Sequence, residues 1–272
     1  MMNFLKMHGL GNDFVILDQR AGLQPLSREA AARISDRHFG VGCDQLIILE
    51  PSEKADLFMR IYNPDGSEAE SCGNATRCVA DLVMKQQGNG ACLIETKGGI
   101  LDCRRAAGMQ VSVDMGPPRL GWQDIPLSEE KDTLHLGIGQ GPAHDPVGVN
   151  MGNPHCVFFV QGIEEIPIEA LGPVFERHKL FPQRANISFA EVTGGASIRM
   201  RVWERGAGVT LACGSASCAT IVAAVRRGLI TGRSADIQMD GGALRLEWRE
   251  GDGHVLMVGP VSYVFEGRLP EV

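Results

Sequence analysis

The sequence lacks any apolar run near the ~18 residues of a membrane span. Its first twenty residues, Met1 to Arg20, carry acids at Asp13 and Asp18 and no apolar segment of a secretory leader. Both absences lead us to expect a soluble cytoplasmic protein, in which the eight cysteines stay thiols. No Cys-x-x-Cys occurs, and the Cys72/Cys78 and Cys213/Cys218 spacings match no common zinc pattern, so neither a metal nor a disulfide framework is expected. Basic charge is short as well. With 26 Lys and Arg against 33 Asp and Glu the net charge is −7, without the basic stripe that a nucleic-acid partner requires.

What is present is an ordinary globular composition, 44% hydrophobic and 22% charged over 272 residues. That length allows about two domains and a core burying roughly three quarters of the unfolded surface. The strongest signal is an internal repeat. Ser71-Cys72-Gly73-Asn74 and Ala212-Cys213-Gly214-Ser215 each place a cysteine, a glycine and a polar residue before an apolar, helix-like run, and the two cysteines stand 141 positions apart. The same offset joins Asn12 to Asn153, Gln45 to Asn186, Arg60 to Arg201 and Asn63 to Glu204. One offset holding across so many polar landmarks marks a duplication.

Periodicity and turn residues divide each half alike. In the first, strands are expected at Phe14–Leu17, Gln45–Leu49 and Leu57–Tyr62, a helix over 27–38 capped by Ser27, and a second from Cys72 to Gly88. Gly116-Pro117-Pro118 reads as the domain boundary, and 119–148 as irregular. The second half repeats the order: a strand after Asn153, a helix over Ile168–Arg177, strands near Asn186 and Ile198–Glu204, and an apolar helix from Cys213. The fold class expected is α/β (α+β): two pseudo-symmetric domains, each a mixed sheet around a central helix, with the active site in the cleft between them.

Chemistry follows from the repeated step. A helix N-terminus exposes unpaired N–H groups and about half a positive charge, which favours carboxylates and thiolates. Gly73, Asn74, Gly214 and Ser215 stand where those donors lie, and glycine lets a ligand approach the backbone. Domains related by a pseudo-twofold axis put equivalent residues on opposite sides of a ligand. A thiolate on one face and a thiol on the other invert a carbon centre, which is racemase or epimerase chemistry with Cys72 and Cys213 as the catalytic pair. The other six cysteines, Cys43, Cys78, Cys92, Cys103, Cys156 and Cys218, read as structural. Each remaining candidate has a bland alternative. Asn12 and Asn153 fit turns after glycine, Gln45 a solvated strand face, Glu204 with Arg205 a surface ion pair, and His155 a core histidine.

These residues resemble the diaminopimelate epimerase family. The matching pieces are Lys6-Met7-His8-Gly9-Leu10-Gly11-Asn12-Asp13-Phe14, Asn63-Pro64-Asp65-Gly66-Ser67-Glu68, Cys72-Gly73-Asn74, Gly152-Asn153-Pro154-His155, and Trp203-Glu204-Arg205-Gly206-Ala207-Gly208 leading into Cys213-Gly214-Ser215. The resemblance implies a cofactor-independent enzyme, without pyridoxal phosphate or metal, that interconverts LL- and meso-diaminopimelate for lysine and cell-wall synthesis. It implies Cys72 and Cys213 as acid and base, with His155 and Glu204 supporting proton transfer. Asn12, Gln45, Asn63, Asn153, Asn186, Glu204 and Arg205 are implied around the substrate, and Gly73, Asn74, Gly214 and Ser215 at the reacting carboxylate. It also implies a homodimer and a C-terminal segment that joins the first domain, giving domains of 1–116 plus 262–272 and 117–261. The sequence departs from the family pattern at Ala75, where glycine is common, at Ser215, where threonine is frequent, and at Phe265, where a tyrosine is associated with the dimer contact.

Two other readings compete. Another racemase of this fold, acting on proline, hydroxyproline or histidine, keeps the cysteines but has no need of Arg205 for a second carboxylate, and a Phz-type isomerase lacks the cysteine pair. A thiol redox or metal-binding protein uses the cysteines and leaves the asparagines unexplained.

Overall fold

The computed structural model describes residues 2–22 and 26–269. The chain divides into two compact units, Met1–Val113 with Gly259–Val272, and Asp114–Val258. Position 1 and positions 270–272, assigned from sequence to the first domain, lie outside the described residues.

In the first unit a hairpin of β1 (Met2–Gly9) and β2 (Asn12–Asp18) opens the sheet. It turns through Leu10 and Gly11, both at positive φ (57° and 82°) as a two-residue hairpin loop demands. After helix α1 (Arg28–Ser35), strand β3 (Gln45–Glu50) pairs parallel to β2. Strand β4 (Leu57–Tyr62) returns antiparallel to β3 and takes the short β5 (Glu68–Ala69) at its end. Helix α2 (Gly73–Gln87) then crosses over to β6 (Ala91–Thr96), which is parallel to β4, and β7 (Gly99–Arg105) and β8 (Gln110–Asp114) complete the unit as a meander. The last strand of the chain, Ser262–Leu269, pairs with β1.

Helix α1 is shorter than its sequence period predicts. Asp36 leaves the helical region, and its Oδ1 accepts from the N–H groups of His38 and Phe39, which ends the helix locally. Ser27 caps its start as expected, accepting from Ala30 N. Helix α2 is buried on nearly every side from Gly73 to Met84, with Ala75, Val79, Ala80, Val83 and Met84 inaccessible. It stops at Gly88, whose φ of 70° only glycine adopts without strain.

The second unit repeats this plan strand for strand. Its opening segment 119–148 holds the small hairpin of β9 (Gly139–Gln140) and β10 (Ala143–His144). Then β11 (Val147–Asn150) pairs antiparallel to β12 (Pro154–Phe159), and helix α3 (Ile168–Glu176) leads to β13 (Asn186–Gly194), parallel to β12. Strand β14 (Ser197–Glu204) returns antiparallel and takes the short β15 (Gly208–Thr210). Helix α4 (Gly214–Arg226) crosses to β16 (Ser234–Met239), parallel to β14, followed by β17 (Gly242–Trp248) and β18 (Val255–Pro260).

The register is duplicated as well as the order. Phe14 faces Gln45 in one unit and His155 faces Asn186 in the other. Leu46 faces Tyr62, and Ile187 faces Trp203. Because a one-residue slip would turn every side chain to the other face, the repeat conserves which residues look inward. Each unit has its own core. One gathers Val15, Leu17, Ile34, Leu46 and Ile48, and the other packs Phe158 against a tilted Phe175 and a stacked Phe189 at ring-centre distances of 4.4 and 5.6 Å.

Candidate active site

Cys72 and Cys213 are the N-caps of the two buried helices. Both lie in the extended region, at φ −149° and −135°, and each carbonyl accepts the first helical N–H, from Thr76 at 2.9 Å and from Ser217 at 3.0 Å. Each carbonyl also accepts a hydroxyl one turn on, Thr76 Oγ1 or Ser217 Oγ, at 2.9 Å in both. The bonds to the cap carbonyl are therefore repeated, whereas only the Cys72 sulfur also caps an amide, that of Ala75.

Around Cys72 the first unit brings together Asn12, Gly73 and Asn74. Its sulfur accepts from Ala75 N at 3.5 Å and lies 3.8 Å from Asn12 Oδ1, to which the thiol donates. Asn74 Nδ2 donates to the same Asn12 oxygen at 3.1 Å, and Gly73 is buried beside it. Gln45 and Asn63 form a second pair, Nε2 donating to Oδ1 at 3.1 Å, and Asn63 is held in turn by Ser67.

The second unit arranges the others. His155 is inaccessible. Its Nε2 meets Asn153 Oδ1 at 2.7 Å, and its Nδ1 is buried without a hydrogen-bond partner. Burial, aided by the positive charge of Arg205, lowers its pKa to about 3, so the ring is neutral. Asn186 accepts from Arg205 N at 2.9 Å and donates to Pro154 O at 3.2 Å, which ties the Glu204–Arg205 turn to β12. The Arg205 side chain is exposed and donates to Gln183 O at 3.1 Å. Glu204 accepts from the Thr210 hydroxyl.

Burial drives the Cys213 thiol well above its ordinary value, and the Glu204 carboxylate adds to this, while the Ser215 hydroxyl and the Ala216 amide pull the other way. A carboxylate next to sulfur opposes the thiolate, so removing its charge moves the thiol back towards the ordinary range. Glu204→Gln is accordingly expected to speed alkylation of Cys213 roughly tenfold at mildly alkaline pH, read by mass spectrometry of the labelled peptide. An unchanged or slower rate contradicts the assignment.

Several residues that build this neighbourhood were not singled out from sequence. Asp44 holds Asn12, with Nδ2 donating to Oδ2 at 3.1 Å. Arg77, the largest fully buried side chain among the described residues, donates to Asn74 Oδ1 at 2.9 Å. Glu176, also buried, accepts from Trp203 Nε1 at 2.7 Å and Gly206 N at 3.2 Å, fixing the turn that carries Glu204 and Arg205. A charged residue inside an apolar helical run is the available signal for Arg77, and nothing comparable marks Asp44 or Glu176. Elsewhere Asp114, Asp252 and His254 bring metal-type donor atoms within 4.8 Å of one another. Arg249 already bridges both aspartates, so that cluster carries its own counter-charge.

Comparison with known proteins accords with this picture. A family model described as diaminopimelate epimerase matches residues 4–121 and 147–264, one stretch in each half. The diaminopimelate epimerase of Rhodospirillum centenum is 60% identical over 270 residues, which cover 98% of this chain and 92% of that protein. Among solved structures, a PhzF-family phenazine biosynthesis protein of Bacillus anthracis superposes with a TM-score of 0.71 at 18% identity, covering 99% of both chains. A probable proline racemase of Agrobacterium radiobacter gives 0.71 at 14% identity, covering 99% of this chain and 93% of that one. The two structures share the fold, whereas the family match and the high identity are specific: the chain belongs to the diaminopimelate epimerase family.

Proposed function

We propose that this protein is a cofactor-independent epimerase that interconverts LL-2,6-diaminopimelate and meso-diaminopimelate, an isomerase step in lysine and peptidoglycan precursor synthesis. The observation that carries the reading is the duplicated cysteine cap, an identical thiol position at the start of two equivalent buried helices. Inversion at an α-carbon needs a base on one face and an acid on the other. One thiolate takes the α-proton, the C–H electron pair passes into the adjacent carboxylate as an enediolate-like charge, and the opposite thiol returns a proton to the other face. After one turnover the protonation states are exchanged, so the reverse reaction uses the same groups in swapped roles.

The helix starts supply the electrostatic part. In this reading the amides of Gly73, Asn74, Gly214 and Ser215 bind the carboxylate where negative charge grows in the transition state. A high Cys213 thiol suits its service as the acid when Cys72 is the base. Substrate recognition falls to Asn12, Gln45, Asn63, Asn153 and Asn186 as neutral partners, with Glu204 for an ammonium and Arg205 for the distal carboxylate as a fork. His155 and Glu204 assist proton transfer. Asn63 in one half stands where Glu204 stands in the other, and this asymmetry lets the site tell the reacting end of the substrate from the distal end. The reading makes the enzyme cytoplasmic and homodimeric. Tyr263, Val264 and Phe265, all exposed on the C-terminal strand, support the dimer. Among the described residues no helix is long and apolar enough to cross a membrane.

The test is proton NMR of the reduced protein with LL-diaminopimelate in D₂O. Deuterium entering the α-position together with the meso isomer is the expected result. Exchange with proline or histidine but not diaminopimelate moves the substrate, and exchange with none of them overturns the epimerase.

A further inference from the structure

The amides near Cys72 form a hydrogen-bonded chain with an ionic group at each end. Arg77 Nη2 donates to Asn74 Oδ1 at 2.9 Å, Asn74 Nδ2 donates to Asn12 Oδ1 at 3.1 Å, and Asn12 Nδ2 donates to Asp44 Oδ2 at 3.1 Å. A guanidinium has only protons to offer and a carboxylate only lone pairs. The two ends therefore allow a single direction of donation, and neither amide can turn over without placing two donors or two acceptors face to face. The consequence falls on Cys72. With Nδ2 committed to Asp44, Asn12 shows its oxygen to the sulfur at 3.8 Å, and only a protonated thiol can use that acceptor.

The second unit lacks this chain. The positions equivalent to Asp44, Asn74 and Arg77 are Ala185, Ser215 and Cys218. The polarity is thus a property of one cysteine of the pair. Asp44 itself is well anchored: Oδ2 also accepts from Asp13 N at 3.0 Å, and Oδ1 accepts from Arg37 Nη2 at 2.8 Å.

We propose that Asp44 is a positioning residue that, through Asn12, sets the direction of the hydrogen bond at the Cys72 sulfur and so favours the thiol form of this cysteine, the form it needs in the half of the cycle in which Cys213 is the base. The functional part of this inference rests on Cys72 being one of the two acid/base groups, as proposed above. The orientation of Asn12 does not depend on that reading.

The test compares two neutral replacements. Asp44→Asn keeps an oxygen to accept from Asn12 and Asp13 N, and Asp44→Ala removes it. Both lose the same charge, so they differ in the acceptor alone. Alkylation of Cys72 at one fixed pH, resolved by peptide mass spectrometry, is expected to rise about tenfold in Asp44→Ala, where Asn12 loses the anchor of its Nδ2 and, held by Asn74 alone, no longer keeps its oxygen at the sulfur. It is expected to stay within about twofold of the wild type in Asp44→Asn, whose epimerase rate stays close to wild type while that of Asp44→Ala falls about tenfold. Arg37→Gln is the control for loosening of the segment, since it removes an anchor of Asp44 without touching Asn12, and it should leave the alkylation rate unchanged. Asp44 is half-exposed, and melting curves check that the variants are folded. Asp44→Ser, whose hydroxyl is too short to reach Asn12, replaces Asp44→Ala if that variant fails to fold. Equal behaviour of the asparagine and alanine variants, or an Arg37→Gln variant that reproduces the alanine effect, overturns the proposal. A wild type that does not epimerise diaminopimelate, but shows the expected alkylation contrast, sinks the function and leaves the role of Asp44 standing.

Discussion

Serine at position 72, and separately at position 213, is expected to lower kcat for epimerisation roughly a thousandfold, within the range set by loss of a positioned acid or base. The two losses should be alike although the two thiols differ in surroundings. Turnover passes a proton in at one face and out at the other, so the slower of two indispensable groups sets the rate in either direction. Serine keeps the helix cap, because its hydroxyl can accept from the amide three residues on as the Cys72 sulfur does from Ala75. It fails as a base because its hydroxyl ionises far above the range of a thiol. The fold should therefore survive while the chemistry does not, and melting temperature together with LL-to-meso conversion separates the two. A single remaining thiol can return a proton only to the face from which it came. Residual exchange in D₂O should thus proceed with retention and from one diastereomer only. Either variant keeping more than about a tenth of the wild-type rate would remove that cysteine from the mechanism.

The repeat made both the architecture and the neighbourhood of the site legible before any coordinates. An offset shared by Cys72 and Cys213, by Asn12 and Asn153 and by Gln45 and Asn186 predicts that equivalent strands carry equivalent residues, and the pairings Phe14–Gln45 and His155–Asn186 have that form. The glycine in the turn before each asparagine is equally readable, with Gly11 and Gly152 both at positive φ, 82° and 95°. What did not show is whatever depends on a partner distant in sequence. Arg77 is an arginine in a helix until its burial against Asn74 is known. Glu176 is a helix-terminal acid until Trp203 and Gly206 are found on it. The early end of α1 hinges on Asp36 binding its own chain, a choice that helical periodicity cannot register.

The places where the halves disagree are as instructive as those where they match. Each unit fixes the oxygen of its turn asparagine with a donor, but the donors differ: Asn74 for Asn12, His155 for Asn153. A histidine buried against an amide behaves differently from an amide when acid is added, and this leads to the second large prediction. His155 is inaccessible, and its pKa lies near 3 against about 6.5 in an unfolded chain. A basic group with a depressed folded value binds its proton more readily when unfolded. The stability it permits is complete above pH ~6.5 and is lost as pH falls towards 3, at up to about 1.4 kcal/mol per pH unit. Between pH ~6.5 and ~4.5, where most carboxylates are still ionised, the loss should approach 2–3 kcal/mol. His178, whose pKa is also lowered by burial, adds a smaller part of the same sign. Phenylalanine is the natural control, since Phe14 fills the equivalent register position in the first unit. His155→Phe should flatten the acid limb of the stability curve measured by urea unfolding at a series of pH values, even if it is less stable at neutrality for want of the bond to Asn153. An acid limb of unchanged slope in that variant would mean that His155 is not the buried neutral group whose protonation the fold resists.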